Sequence, residues 1–461
     1  LTGELWRLPA TRVAAMVAAR EVSPVEVMDA VLARAEAMQP VLNLFVQPLF
    51  DQARDAAKAA EAQVMAGGTL GKLHGVPFTV KDNVAMRGLP TLNGSVASTP
   101  PPAEEDWAIV ARLRAAGGIP IGKTTLPEFA HKVLTDSIQC GVTRNPWNLE
   151  RTPGGSSGGA SAALAAGVAP LGIGTDGGGS IRCPASCAGL VGLKATLGRI
   201  PNETFPDPFG NYAFVGPMAR TTADTALMFS VMEGAEPRDP WSLGLPAHPP
   251  APAIAGLRIG WMDHFGKYRT HPEVLAAMQG ARKALEDAGA VIEPLVDPCF
   301  DDVFDTYIVV ATTAHAARLG PLEERAGERM TDSMRESIGI GRRFSAADLV
   351  RAIDRRGALH RAVQRLFGRF DLIATPSMLA PPAPLDAGGS VASAFYAEWA
   401  APLYPFNLTG HPAASVPCGF GSEGTPIGLQ VVGPWHGEKR ILTVAQALED
   451  ALDWPARWPV V

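Results

Sequence analysis

The stretch "TPGGSSGGASAALAAGVAPLGIGTDGGGSIRCPAS", Thr152 to Ser186, decides how this chain reads. Small residues dominate it, and two glycine–serine clusters bracket an alanine-rich segment and a short apolar run. The run "PLGIGT" predicts a buried strand whose end passes into Gly177, Gly178, Gly179 and Ser180. Successive unhindered N–H groups at that point can converge on one anion, as an oxyanion hole requires, with the serine hydroxyl beside them. An ordinary flexible turn is the competing reading of the same glycines.

Three other patterns match known sites in letters but fail on context. "GGIPIGKT", Gly117 to Thr124, fits the phosphate-loop pattern. A helix precedes it where a strand is required, and Pro120 removes one of the backbone donors that would hold phosphate. It reads instead as a helix end and a short buried strand with Lys123 at its exit. "GIGTDG", Gly172 to Gly177, fits a dinucleotide fingerprint, yet its first two glycines fall inside the strand and no acid follows at the right distance. "GGSSG", Gly154 to Gly158, fits a nucleophile elbow centred on Ser156. The segment upstream, "RNPWNLERTP", is a turn and not a strand. His411 and His436 can be nominated as partners, but nothing around them marks a catalytic turn.

Outward from this region, the pattern predicts repeated strand–helix units. Ser23-Pro24-Val25-Glu26 starts a helix with a capping serine and a glutamate three residues on. "LHGVPFTVKDN" predicts a strand over Val76–Val80 that delivers Lys81, Asp82 and Asn83 to its end. "LRIGWM", a helix and "VIEPL" form a β-α-β order that continues one sheet, beyond a Pro-rich connection at 245–256. Ser345 caps a long helix reaching about residue 368. "AASVPCGF" and "PIGLQVVG" flank "GSEGT" as a hairpin. The fold expected is α/β: a single large domain over 1–461, with a mixed β-sheet core covered by helices on both faces. Within it the sequence divides into N-terminal helices over 1–65, a catalytic core over 70–230, and a variable substrate-specificity region at about 200–215 and 300–400.

The composition disfavours several classes of function. Lys plus Arg is 40 against 46 for Asp plus Glu, and the formal charge of -6 carries no footprint for nucleic acid or an anionic membrane. Five cysteines in 461 residues do not make a disulfide framework. Cys183 and Cys187 lack nearby ligands for a metal site and read as buried thiols. No membrane span and no secretory signal is evident, so a cytoplasmic protein is expected; the missing initiating Met suggests that residues precede Leu1.

Together, "VKDN" (Lys81), "TPGGSSGGASAA" (Ser156) and "TDGGGSIRCPAS" (Ser180) resemble the amidase signature family, in order and at the expected spacings of 75 and 24 residues. The segments 122–130, 189–200, 216–226 and 407–417 also resemble family segments, so the likeness covers nearly the whole chain. Gly177 departs from the family, which carries a larger residue there, and a looser oxyanion loop is the expectation. The resemblance implies Ser180 as nucleophile, Ser156 as bridging serine after a cis peptide bond from Gly155, and Lys81 as base. It implies an oxyanion hole from Gly177, Gly178, Gly179 and Ser180, substrate contacts from Ala130, His131 and Gly155, and support from Ser157, Asp176 and Arg182. A helix cap is the alternative role for Ser157. No metal and no cofactor is implied.

The chemistry supports these roles independently. A serine hydroxyl is too weak a nucleophile for an amide unless a base takes its proton. Lysine serves only when neutral, and bringing its pKa from about 10.4 to near neutrality corresponds to about 4 kcal/mol, within reach of a buried amine. The expected activity is hydrolysis of small hydrophobic or aryl amides, with carbamates and esters open to the same machinery. The partner expected is a small-molecule amide, with no nucleic acid and no membrane, on a monomer or homodimer. The alternatives are the A subunit of a glutamine-dependent amidotransferase and, from a different class, a phosphate-loop nucleotide-binding protein. The Phe and Tyr residues of 200–215 and 300–345 are expected to wall the pocket.

Overall fold

The computed structural model describes residues 2–203, 206–388 and 392–461. Positions 204–205 and 389–391 of the expected specificity region lie outside the described residues.

Alternation builds the sheet. In the strand Pro77–Lys81, Phe78 and Val80 enter one apolar core and Thr79 and Lys81 take the other face. In Leu372–Pro376, Leu372 and Ala374 pack into that first core, whereas Ile373 enters a second core on the opposite face. The strands in chain order are β1 (Phe45–Pro48), β2 (Pro77–Lys81), β3 (Ile119–Thr124), β4 (Asp136–Ser137), β5 (Gly141–Val142), β6 (Leu171–Asp176), β7 (Val191–Lys194), β8 (Phe214–Ala219), β9 (Arg258–Trp261), β10 (Val291–Pro294), β11 (Leu372–Pro376), β12 (Ala413–Phe420) and β13 (Pro426–Val432). Eleven of them form one sheet in the order β1-β3-β2-β6-β8-β7-β12-β13-β11-β9-β10. Both orientations occur: β2 runs parallel to β3 and β6, while β12 and β13 pair antiparallel as the expected hairpin. The β-α-β segment after the Pro-rich connection extends the same sheet, since β9 pairs in parallel with β10 and β11.

Helices cover both faces. Pro24–Leu42 starts at Ser23, whose hydroxyl accepts from Val25 N while Glu26 accepts from Ser23 N, each at 2.9 Å. Ser345 and Asp348 form the same box at the head of Ala346–Leu366. The strand expected at Val76–Val80 lies one residue later, so Lys81 is its final residue and inherits the strand's burial.

The phosphate-loop pattern resolves as β3, paired on both sides by β1 and β2. Lys123 is fully buried, with Nζ 2.8 Å from the Asp82 carboxylate, so its charge is already matched and out of reach of a phosphate. Cys183 and Cys187 are buried in the helix Arg182–Ala188, and no cluster of three potential metal ligands occurs among the described residues. No helix among them is long and apolar enough to cross a membrane.

Candidate active site

The ends of β2 and β6 place the central groups. These strands are parallel neighbours, with Val80 beside Ile173, so Lys81 emerges next to the start of the glycine loop. Gly174 lets a second layer approach: a Cβ there would lie 2.9 Å from Ile181 and 3.1 Å from Ser157 Oγ. The serine turn and the helix Gly158–Ala165 behind it can therefore sit directly on the strand.

Lys81 Nζ lies 2.6 Å from Ser156 Oγ and donates to Thr175 Oγ1 at 2.8 Å. The peptide between Gly155 and Ser156 is cis. Lys81 is fully buried, and burial pushes its amine well below the usual lysine range against the opposing pull of the Asp176 charge. Ser156 and Ser180 line the same pocket. Their turns are joined through the main chain, with Ser157 N–H donating to the Ser180 carbonyl at 3.3 Å. The Ser180 hydroxyl has no partner among the described residues. The elbow reading fails on geometry: the His411 ring meets Thr409 Oγ1, and His436 Nδ1 meets Arg199.

Asp176 organises the glycine loop. It accepts from Gly179 N at 2.6 Å, from Ile181 N at 3.2 Å, and from Arg182 and Asn407. Burial alone would raise this carboxyl, but the Arg182 guanidinium outweighs it, with help from Asn407 and Lys194, and holds it well below the usual range. All five Arg182 N–H donors are engaged, on Asp176 twice and on Leu403 O, Gln430 and Asn407. Arg182 therefore shapes the loop and has no donor left for substrate.

This changes the expected oxyanion set. The Gly179 N–H points into Asp176 and is spent there, while those of Gly177, Gly178 and Ser180 have no acceptor among the described residues. Gly179 has φ +107 and a Cβ there would lie 2.2 Å from Leu403, so no other residue fits. At Gly177 a Cβ would meet only Ala213, at 3.8 Å, so the position has room for a side chain. Gly177→Ala is accordingly expected to change kcat less than about threefold. Gly179→Ala, which moves the loop, is expected to lower it by about 10²–10³-fold, the scale of a lost oxyanion donor; steady-state kinetics on the two variants checks the contrast.

Of the expected substrate contacts, Ala130 and His131 line the pocket. Gly155 does not: it sits behind Ser156, where a Cβ would meet the backbone of Val133 and Leu134 at 2.8–3.0 Å. The His131 ring is held by Glu128 O at 2.6 Å and Ser333 at 2.9 Å, and burial lowers its pKa to about 3. The Ser157 hydroxyl makes no cap bond to its helix and bridges instead to the Thr175 backbone.

Sequence reading missed Thr175, although it stands inside "GTDGGGS". It also missed the role of Asn83, which donates to Thr175 Oγ1 at 3.0 Å; the expected aromatic walls at 200–215 and 300–345 supply Tyr212 and Tyr307, whereas Tyr396, Tyr404 and His315 were not anticipated. The pocket encloses about 680 Å³, counting the part open to solvent, a size suited to a small molecule.

A large mixed sheet carrying a buried lysine bonded to a pocket-lining serine is the arrangement of an amidase-type hydrolase. The chain belongs to the amidase signature family: the family model described as Amidase matches residues 26–442. The chain is 36% identical to an acylamidase of Rhodococcus erythropolis, with 98% of this chain and 97% of that protein covered. It is 35% identical to the A subunit of the glutamyl-tRNA(Gln) amidotransferase of Roseiflexus castenholzii, over 99% of this chain and 98% of that one. Among solved structures it superposes on a bacterial aryl acylamidase with TM-score 0.88 at 27% identity, covering 98% of this chain and 99% of the other. A 6-aminohexanoate cyclic dimer hydrolase gives 0.87 at 31% identity, with 99% of each chain covered.

Proposed function

We propose that this protein hydrolyses small amides by acyl transfer through Ser180, with Ser156 and Lys81 as the proton relay. The observation that carries the reading is Lys81 Nζ, buried and 2.6 Å from Ser156 Oγ, with Ser156 and Ser180 lining one pocket. Ser180 Oγ attacks the amide carbonyl carbon while its proton passes to Ser156, whose own proton passes to neutral Lys81. The tetrahedral oxyanion takes the free N–H groups of Gly177, Gly178 and Ser180. On collapse the C–N bond breaks and the leaving amine receives a proton back through Ser156. Water then releases the acid by the same relay, run on the acyl ester. No step needs a metal or organic cofactor.

The substrate class follows from the walls. Tyr212, Tyr307, Tyr404 and Phe129 present aromatic surface, which favours a hydrophobic or aryl group on the amide. The similarity to the amidotransferase chain supports a second reading, ammonia release from glutamine. A hydrolysis panel of aliphatic amides, anilides, esters, carbamates and glutamine separates them. Anilide or aliphatic amide turnover exceeding that of glutamine by at least about tenfold is the expected result; glutamine as the preferred substrate would replace this reading with the second.

A further inference from the structure

Tyr307 stands on the helix Val303–Ala326, more than a hundred residues from the serine turns, and its hydroxyl reaches the glycine loop. A Cβ built on Gly178 would lie 2.2 Å from Tyr307 Oη, so this oxygen fills the space where a side chain at 178 would stand. The ring is fixed. It packs against Tyr404 with centroids 4.4 Å apart and planes tilted by 30°, and meets Tyr212 edge-on at 6.4 Å. Tyr307 is only 8% exposed and lines the pocket, yet its hydroxyl has no hydrogen-bond partner among the described residues. A nearly buried phenol without a partner, aimed at the loop beside Ser180, is a donor awaiting a ligand.

We propose that Tyr307 Oη donates a hydrogen bond to the substrate and so selects amides that carry a second, neutral acceptor close to the scissile carbonyl; this rests on the amidase reading above. Burial and the nearby Tyr212 and Asp176 push the phenol well above its usual range, so it acts as a donor throughout the working pH range. The acceptor is neutral because, among the described residues that line this pocket, no unpaired cation is present to compensate a carboxylate. Lys132, the lysine on its wall, is paired with Asp136 at 2.8 Å. His131 and His315 are lowered by burial to about 3 and about 4 and stay uncharged. An ether, carbonyl or second amide oxygen separated from the reacting carbon by one to three atoms suits the site.

Tyr307→Phe removes only the hydroxyl and keeps the ring against Tyr404. Two isosteric pairs probe it: methoxyacetanilide against butyranilide, and N-(2-methoxyethyl)acetamide against N-butylacetamide. The expected result is a loss of about tenfold in kcat/KM for the methoxy member of at least one pair, with its hydrocarbon partner within twofold and the thermal midpoint unchanged. The pair that responds also tells which side of the amide the phenol serves. Equal effects on both members of both pairs, or no effect at all, would overturn the inference while leaving the amidase reading intact. A wild type inert on all four compounds and on the panel above would overturn both.

Discussion

Ser180→Ala is expected to lower amide hydrolysis by about 10⁴–10⁶-fold, the scale seen when a serine nucleophile is removed from a coupled relay. The fold should survive, because the Ser180 hydroxyl makes no hydrogen bond among the described residues and its deletion leaves no partner unsatisfied. The backbone N–H groups of the loop also remain in place, held through Asp176 and Arg182. Purified variant and wild type should therefore unfold within a degree or two of each other while differing in turnover by orders of magnitude. Activity retained within tenfold would mean that another group attacks the carbonyl.

Lys81→Met is the second large effect, expected at about 10²–10⁴-fold, the range of a lost general base. The pH profile makes the test specific to proton transfer. Lys81 accepts a proton only when neutral, hence above its own pKa. Burial lowers that pKa below the ordinary 10.5, and the Asp176 charge opposes the shift. For the wild type, log kcat/KM should rise with unit slope through the lowered value and level off above it. The Met variant should lack this limb. The stability linkage has the same sign: the unfolded chain binds the Lys81 proton more readily than the folded one, so the cost of burying this amine is greatest at low pH and is gone above about 10.5. Methionine removes that cost, so the variant should not unfold earlier than wild type near neutral pH. An unchanged acid limb in the variant would rule out the role assigned to Lys81.

The parts of the site legible in the sequence are those where chemistry and backbone demand coincide locally. Lys81 at a strand end, the serine turn at 154–159 and the loop at 177–180 each carry their signature within a few residues. What the sequence hides is direction. Three glycines and a serine advertise four N–H donors, but in the folded loop the Gly179 donor turns into Asp176. Gly155 likewise looks like a substrate neighbour and lies behind the serine against main chain. Tyr212 and Tyr307 fall in the segments expected to wall the pocket, whereas Tyr396 and Tyr404 were hidden by distance, on short helices where an aromatic residue most often means core. The fold shows the same split. Alternating apolar strands and capped helices were readable, whereas β8 was not, because Gly216-Pro217 reads as a turn. That proline is tolerated mid-sheet since β7 pairs only with Met218 and Ala219, leaving Pro217 bonded on one side alone.

In the proposed mechanism the substrate's acyl group rests on Ser180, whose proton has left through Ser156 to Lys81. Rapid acid quench of the enzyme turning over an activated anilide or ester, followed by peptide mass spectrometry, shows where that group sits. An acyl adduct is expected on the peptide bearing Ser180, absent in Ser180→Ala and accumulating more slowly in Lys81→Met. An adduct on Ser156, or one undiminished in Ser180→Ala, would be incompatible with Ser180 as the nucleophile.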